Sequence, residues 1–191
     1  MTQILSTPSQ TVGPFLSIGM TWEHGEYVVP EGTPGSCWIH GRLLDGAGEA
    51  VPDGVIETWQ ADPDGEFAHA SPASGSVVGG LRGFGGFGRA LTGPDGGYRV
   101  LTVKPGRVAD GTGGLQAPHL DVSVFARGLL HRLVMRIYFS DEAEANTEDP
   151  VLSALPDDDA RSTIIAQSDD AGGYTLDIRL QGDGETVFFA V

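Results

Sequence analysis

The segment Ala117-Pro118-His119-Leu120-Asp121-Val122-Ser123-Val124 is the clearest guide to the fold class of this chain. From His119 onward polar and apolar side chains alternate, which is typical of a β-strand with one buried face. On such a strand His119 and Asp121 project from the same face, roughly 6–7 Å apart at two rises of about 3.3 Å. Two histidines at this spacing can bind one metal ion. Because the second position is an aspartate, the segment resembles half of a metal site with one ligand exchanged.

Alternating segments of this kind recur along the chain and predict an all-β fold. They are short, rich in Val, Ile, Thr and aromatic residues, and separated by turn signals such as Asp95-Gly96-Gly97 and Gly182-Asp183-Gly184. This pattern of short strands separated by turns predicts an antiparallel β-sandwich or barrel with short helices in its loops. The predicted strands are Cys37–Leu44, Val55–Ala61, Tyr98–Lys104, His119–Ala126, Leu133–Phe139, Tyr174–Gln181 and Thr186–Val191, and the predicted helices are Asp141–Asn146 and Pro156–Ala166.

The first part of the chain differs from the rest. Residues 1–33 lack clear strand alternation but contain Phe15, Trp22 and Tyr27, more apolar bulk than a disordered tail carries. We therefore expect an N-terminal arm over 1–33, packed on the domain or on a partner chain, and one β domain over 34–191. The glycine-rich stretch Ser71–Gly88 is predicted to be a long loop.

The composition argues against several classes of partner. The 191 residues have a formal net charge of −15, which makes nucleic acid and anionic membrane improbable partners. The sequence has no apolar run long enough to cross a membrane and no leader-like start. It contains one cysteine, Cys37, so that it cannot form an intrachain disulfide. These features predict a cytoplasmic protein.

A series of motifs in fixed order resembles one enzyme family. The motifs are Thr11–Phe15, Glu57–Asp62, Phe84–Arg89, Gly97–Gly106, Ala117–His119 and Met135–Phe139. Together they resemble the intradiol ring-cleavage dioxygenases over nearly the whole chain. The closing segments Asp177–Gly182 and Glu185–Phe189 resemble specifically the alpha chain of a two-chain member.

The resemblance implies a ferric ion held by two tyrosinates and two histidines, because Fe(III) favours anionic oxygen ligands. The motifs locate the four ligand positions in this sequence at Phe67, Val108, His119 and Asp121. Phe67 and Val108 have no donor atom, and Asp121 replaces a histidine. The sequence therefore predicts degenerate ligand positions, no metal and no catalytic residue in this chain.

The resemblance also implies a partner. A homologous beta chain is expected to carry Fe(III) in an obligate hetero-oligomer, while this chain contributes Thr11, Gly13, Pro14 and Arg127 to the substrate pocket. The expected substrates are a small aromatic anion, protocatechuate, and O2, with 3-carboxy-cis,cis-muconate as the product. A guanidinium such as that of Arg127 suits an anionic substrate, since it is always charged and binds carboxylates in a planar fork.

Two alternatives stay open at this stage. A non-catalytic β-sandwich binding or scaffold module fits the composition and predicts a stable monomer. A self-sufficient intradiol dioxygenase with altered ligands predicts iron bound to the single chain.

Overall fold

The computed structural model describes residues 9–13, 15–70, 77–78 and 84–190. Its helices are α1 (Phe15–Gly19), α2 (Ala143–Glu148), α3 (Pro150–Ser153) and α4 (Asp158–Ser162). Its strands are β1 (Ser36–Leu44), β2 (Val55–Trp59), β3 (His69–Ala70), β4 (Val77–Val78), β5 (Phe87–Leu91), β6 (Gly97–Val103), β7 (Val108–Ala109), β8 (Leu115–Gln116), β9 (His119–Phe125), β10 (Leu133–Phe139), β11 (Ile165–Ser168), β12 (Tyr174–Thr175) and β13 (Ile178–Arg179).

A nine-stranded sheet dominates the structure. Its strands follow the order β5-β2-β9-β10-β11-β12-β1-β6, and β13 pairs with β1 beyond β12. The prediction of an all-β fold with short helices in loops is confirmed. Three pairings are parallel: those of β1 with β12 and β13, and that of β10 with β11. The other pairings in this sheet are antiparallel.

The sheet curls until its two edge strands, β5 and β6, approach each other. Segment 25–28 fills the gap between these edges. The carbonyl of Gly25 accepts from the amide of Arg89 at 2.7 Å, and the amide of Val28 donates to the carbonyl of Leu101 at 2.8 Å. A Cβ on Gly88 would lie 2.8 Å from Val28 Cγ2, so that this close approach requires glycine. The barrel is thus sealed by a segment of the expected arm, which covers otherwise unpaired strand edges.

The interior is a single apolar core. Its largest fully buried side chains include Tyr138, Phe139, Ile39, Leu43 and Ile56. Two of its buried polar side chains bond to backbone carbonyls: Gln60 Nε2 donates to that of Val103 at 2.8 Å and Tyr98 Oη donates to that of Leu176 at 2.7 Å. No helix among the described residues is long and apolar enough to cross a membrane.

Several element predictions differ from the structure. The predicted strand Tyr174–Gln181 is divided into β12 and β13. Between them, Leu176 and Asp177 pass close to Gly41, where a Cβ would lie 1.7 Å from the Leu176 carbonyl oxygen. The predicted strand Thr186–Val191 is wrong over its described residues, because they form a single β-bridge, between Phe189 and Val134. Val191 lies outside the described part of the chain.

The helix predictions are shifted. The helix predicted at Asp141–Asn146 spans Ala143–Glu148, and that predicted at Pro156–Ala166 is confined to Asp158–Ser162, where Asp157 caps the amide of Ala160. The predicted loop Ser71–Gly88 contains β4 and the start of β5, and its residues 71–76 and 79–83 lie outside the described part of the chain.

Candidate functional site

Two loops bring the expected tyrosine-ligand positions, Phe67 and Val108, to one side of the barrel. Asp62, which is buried, accepts hydrogen bonds through Oδ1 from the amides of Asp64 and Glu66, both at 3.0 Å. This turn presses Gly65 onto the second loop: a Cβ there would lie 2.3 Å from the carbonyl oxygen of Arg107. The loops that carry Phe67 and Val108 therefore touch.

Trp59 connects these loops to the strand that carries the other two positions. Its ring stacks on that of Phe67 with centroids 6.1 Å apart and an interplanar angle of 6°. In the pairing of β2 with β9, Trp59 is opposite Asp121. On the other side, Val108 pairs with Gln116 just before β9. The structure thus gathers Phe67, Val108, His119 and Asp121 into one region, which we call the degenerate site.

Arg136 provides a positive charge in the degenerate site. It is opposite Asp121 in the pairing of β9 with β10, and its Nε donates to Asp121 Oδ1 at 2.9 Å. Its Nη1 donates to Gln116 Oε1 at 2.6 Å and lies 3.3 Å from Tyr138 Oη. Tyr138 in turn donates to Asp149 Oδ1 at 3.2 Å. The guanidinium is therefore held on three sides by groups of this chain.

His119 lies beside the same network. It is 5% exposed, and its Nδ1 donates to the carbonyl oxygen of Ala117 at 2.7 Å. Its Nε2 lies 3.9 Å from Asp121 Oδ1. Burial lowers the pKa of His119, and the positive charge of Arg136 lowers it further.

Of the second group of predicted residues, Thr11, Gly13 and Arg127 lie at another end of the barrel. Thr11 Oγ1 accepts a hydrogen bond from the amide of Gly128 at 2.8 Å, which fixes the arm beside Arg127. Arg127 Nε lies 2.5 Å from Asp53 Oδ2, and the side chain is 68% exposed. Gly13 is exposed and accepts from the amide of Leu16 through its carbonyl, while Pro14 lies outside the described residues.

A cavity of about 680 Å³ lies apart from both groups, between the arm and β1, β5 and β6. Its lining includes Trp22, Arg42, Arg89 and Tyr98 but none of the predicted site residues. Arg42 pairs with Asp177 at 3.1 Å and Arg89 contacts Glu57 at 2.5 Å, so that these charges are compensated within the chain.

Comparison with known proteins identifies the family. A family profile described as Dioxygenase matches residues 12–182. The protocatechuate 3,4-dioxygenase alpha chain of Burkholderia cepacia is 40% identical over 207 residues, covering 100% of both chains. That of Pseudomonas putida is 39% identical, covering 96% of this chain and 95% of the relative. The chain belongs to the intradiol dioxygenase family. The predicted resemblance to an alpha chain is confirmed by these two relatives.

Further comparisons agree with this assignment. The protocatechuate 3,4-dioxygenase beta chain of Burkholderia cepacia is 31% identical, covering 78% of this chain and 65% of the relative. Among solved structures, the dioxygenase domain of a carbohydrate-binding fusion from Streptomyces sp. SirexAA-E is 24% identical with a TM-score of 0.58, covering 82% of this chain and 87% of that one. This structural similarity shows the fold.

Membership of the intradiol dioxygenases implies iron in the assembled enzyme, but the degenerate site does not fit a ferric ion. Phe67 and Val108 offer no donor atom, and the Asp121 carboxylate is already paired with Arg136 at 2.9 Å. A cation entering beside His119 would meet the guanidinium, so that like charges would repel. Over the described ranges, no group of three or more His, Cys, Asp or Glu side chains is placed to hold a metal ion.

Two residues of these sites were not found from the sequence. Arg136 is a single charge in the apolar strand Leu133–Phe139, and that contrast could have indicated a buried partner on the neighbouring strand. Asp53 lies in Val51-Pro52-Asp53-Gly54, which indicates an ordinary turn. Its contact with Arg127 depends on strand register, for which the sequence contains no local signal.

Proposed function

We propose that this chain is the non-iron alpha subunit of a two-chain protocatechuate 3,4-dioxygenase. The assembled enzyme would cleave protocatechuate with O2 to 3-carboxy-cis,cis-muconate, placing both oxygen atoms in the product, as part of the β-ketoadipate pathway of aromatic catabolism. The support is near-complete coverage by two alpha-chain relatives at 39% and 40% identity. The enzyme would work in the cytoplasm.

The iron, on this proposal, belongs to a homologous beta chain. The observation that carries this part is the Asp121–Arg136 pair, which fills the degenerate site with a cation of the chain itself. The same observation disfavours a self-sufficient dioxygenase with altered ligands. Residues 1–33 would form an arm that reaches the beta chain, and 34–191 the dioxygenase-like domain.

The contribution of this chain to catalysis would be substrate binding by Thr11, Gly13, Pro14 and Arg127. The contact of Thr11 with Gly128 supports this grouping, because it joins the arm to the turn that carries Arg127. The Arg127 side chain is 68% exposed in the single chain and so accessible to a ligand at the interface. In a chain of net charge −15, an anionic substrate requires such a local positive charge.

Steady-state kinetics on the assembled enzyme test the role of Arg127. Arg127→Ala should lower kcat/KM by about 10- to 150-fold, the equivalent of a charge-assisted hydrogen bond of roughly 1.5–3 kcal/mol. Arg127→Lys should recover part of this loss, because lysine keeps the charge without the planar fork. The iron content should stay constant in both variants.

Arg99→Ala is the matched control. Arg99 is also exposed, stacks over the Trp38 ring at 4.8 Å and lies on β6, outside the group around Arg127. Its removal should leave kcat/KM unchanged. If Arg127→Ala behaves like Arg99→Ala, the proposed pocket role of Arg127 is wrong.

A further inference from the structure

Asp53 and Arg127 occupy corresponding positions beyond the ends of two paired strands. β2 begins at Val55 and β9 ends at Phe125, and these two residues are partners in the antiparallel register. Continuing this register by two residues brings Asp53 opposite Arg127. The observed contact, Nε to Oδ2 at 2.5 Å, agrees with that continuation.

Asp53 is the fixed member of the pair. The adjacent Gly54 amide donates to Thr92 Oγ1 at 2.8 Å, and the same hydroxyl donates to the Val51 carbonyl at 2.6 Å. These bonds hold the turn before β2 to a buried threonine. The Asp53 side chain is 27% exposed, against 68% for Arg127. The exposed guanidinium is therefore anchored by the more buried carboxylate.

The environment of the Asp53 carboxylate shows that the guanidinium is its compensating partner. Asp53 Oδ1 is buried and receives no hydrogen bond from the described part of the chain. A buried carboxylate oxygen without a donor costs free energy, so that the charge of Arg127 is needed nearby. Because the contact uses Nε, the two terminal nitrogens of Arg127 are left for another carboxylate. Two parallel bonds to those nitrogens match the geometry of a bidentate pair.

We propose that Asp53 is a positioning residue for substrate recognition: it holds Arg127 by Nε so that Nη1 and Nη2 face the carboxylate of the aromatic substrate. This inference rests on the proposed function and extends it to a residue that does not touch the substrate. Anchoring lowers the conformational entropy that Arg127 loses on binding, which raises affinity without changing the chemical step.

The test compares Asp53→Ala and Asp53→Asn in the assembled two-chain enzyme, with protocatechuate and with catechol, which lacks the carboxylate. Asp53→Ala should raise KM for protocatechuate by about two- to fivefold, the range of a partly exposed ion pair, and leave kcat unchanged. KM for catechol should not move. Asp53→Asn should give a similar rise, because it keeps the shape of the side chain but removes the charge that pairs with Nε.

A double-mutant cycle with Arg127→Ala separates this inference from the proposed function. In the Arg127→Ala background, Asp53→Ala should have no further effect on KM for protocatechuate. Additive effects, an equal rise for catechol, or a lower KM in Asp53→Ala would overturn the positioning role. If Arg127→Ala alone leaves KM unchanged, the substrate role of Arg127 fails and the inference fails with it. If Asp53→Ala does not assemble, the near-isosteric Asp53→Asn carries the same comparison.

Discussion

Arg136 donates to Asp121 across β9 and β10, at the position where the intradiol family resemblance places a histidine ligand. The two residues complement each other: the Asp121 carboxylate is an anion, and the Arg136 guanidinium from the neighbouring strand neutralises it. Without Arg136, the half-buried Asp121 carboxylate would lose the guanidinium that neutralises it. The degenerate site is therefore a structural ion-pair network.

Removing the cation should destabilise the chain. Arg136→Met is expected to cost about 1–2 kcal/mol, below the roughly 3–5 kcal/mol of a fully buried pair, because water can reach Asp121. Asp121 is 43% and Arg136 19% exposed. At this size of protein the change corresponds to a fall in Tm of about 2–8 °C, measured by calorimetry on the assembled enzyme.

Arg132→Met is the matched control for this measurement. Arg132 is exposed and bonds Ser123 Oγ at 3.1 Å, so that Tm should change little. Equal effects of the two substitutions would show that the Arg136 network contributes nothing particular to stability.

The sequence predicts those structural features best whose signals lie within a single segment. Strands with clear alternation, such as β9, are found within one residue of their predicted bounds, because burial of one face produces a pattern within the segment itself. The closing strand Thr186–Val191 shows similar alternation but pairs through one bridge, since strand formation also requires an available edge.

In the candidate sites, too, some features follow from single residues and others from the pairing of strands. The absence of donors at Phe67 and Val108 is a property of the residues alone and can be derived from the motifs. The partners of Asp121 and Arg127 are set by register, because each lies opposite a residue of a different strand or turn. That register depends on the whole sheet, so that neither Arg136 nor Asp53 could be assigned from the sequence.

Restoring the ligands should restore iron only when Arg136 is removed as well. The variant Phe67→Tyr, Val108→Tyr, Asp121→His should show no more iron per alpha–beta pair than the wild type, because the guanidinium still occupies the site. Adding Arg136→Gln should raise the iron content and add absorbance in the visible charge-transfer band. Metal analysis and visible spectra on both assembled variants check this, and equal iron in the two would contradict the role given to Arg136.

His119 should make the stability depend on pH. Its pKa is lowered in the folded chain, whereas in the unfolded chain it is about 6.5. Between these two pKa values the unfolded state binds more protons than the folded state. The contribution of His119 to stability is therefore fully present above about pH 6.5 and is lost as the pH falls below it. Asn in place of His119 keeps a donor for the Ala117 carbonyl but does not titrate. The Tm of the assembled enzyme should therefore fall less between about pH 7 and pH 5 in His119→Asn than in the wild type. If Tm falls equally with pH in His119→Asn and in the wild type, other groups cause the pH dependence.

The exposed apolar side chains of the arm should be needed for assembly. Phe15 and Ile18 on α1 are 78% and 70% exposed. Burying two such side chains against a partner contributes about 1.5–3 kcal/mol each. Phe15→Ser with Ile18→Ser should therefore reduce recovery of the complex on co-expression with the beta chain, as measured by size-exclusion chromatography. Leu115→Ser, at a site 48% exposed on β8, is the control and should assemble normally. Normal assembly of the double variant would place the interface elsewhere.

Thr11 should determine whether the arm stays beside Arg127. Its hydroxyl accepts from the Gly128 amide at 2.8 Å, and Gly128 has φ 86°, a conformation that fixes the direction of the turn after Arg127.

Thr11→Val keeps the shape of the side chain but removes the acceptor, while Thr11→Ser keeps the acceptor and removes a methyl group. A neutral hydrogen bond of this kind contributes about 0.5–1.5 kcal/mol, so that KM for protocatechuate should rise about two- to tenfold in Thr11→Val. Thr11→Ser should retain wild-type KM, and iron content should be the same in both, since neither change removes a metal ligand. If the two variants have equal KM values, the arm is held by contacts other than this hydrogen bond.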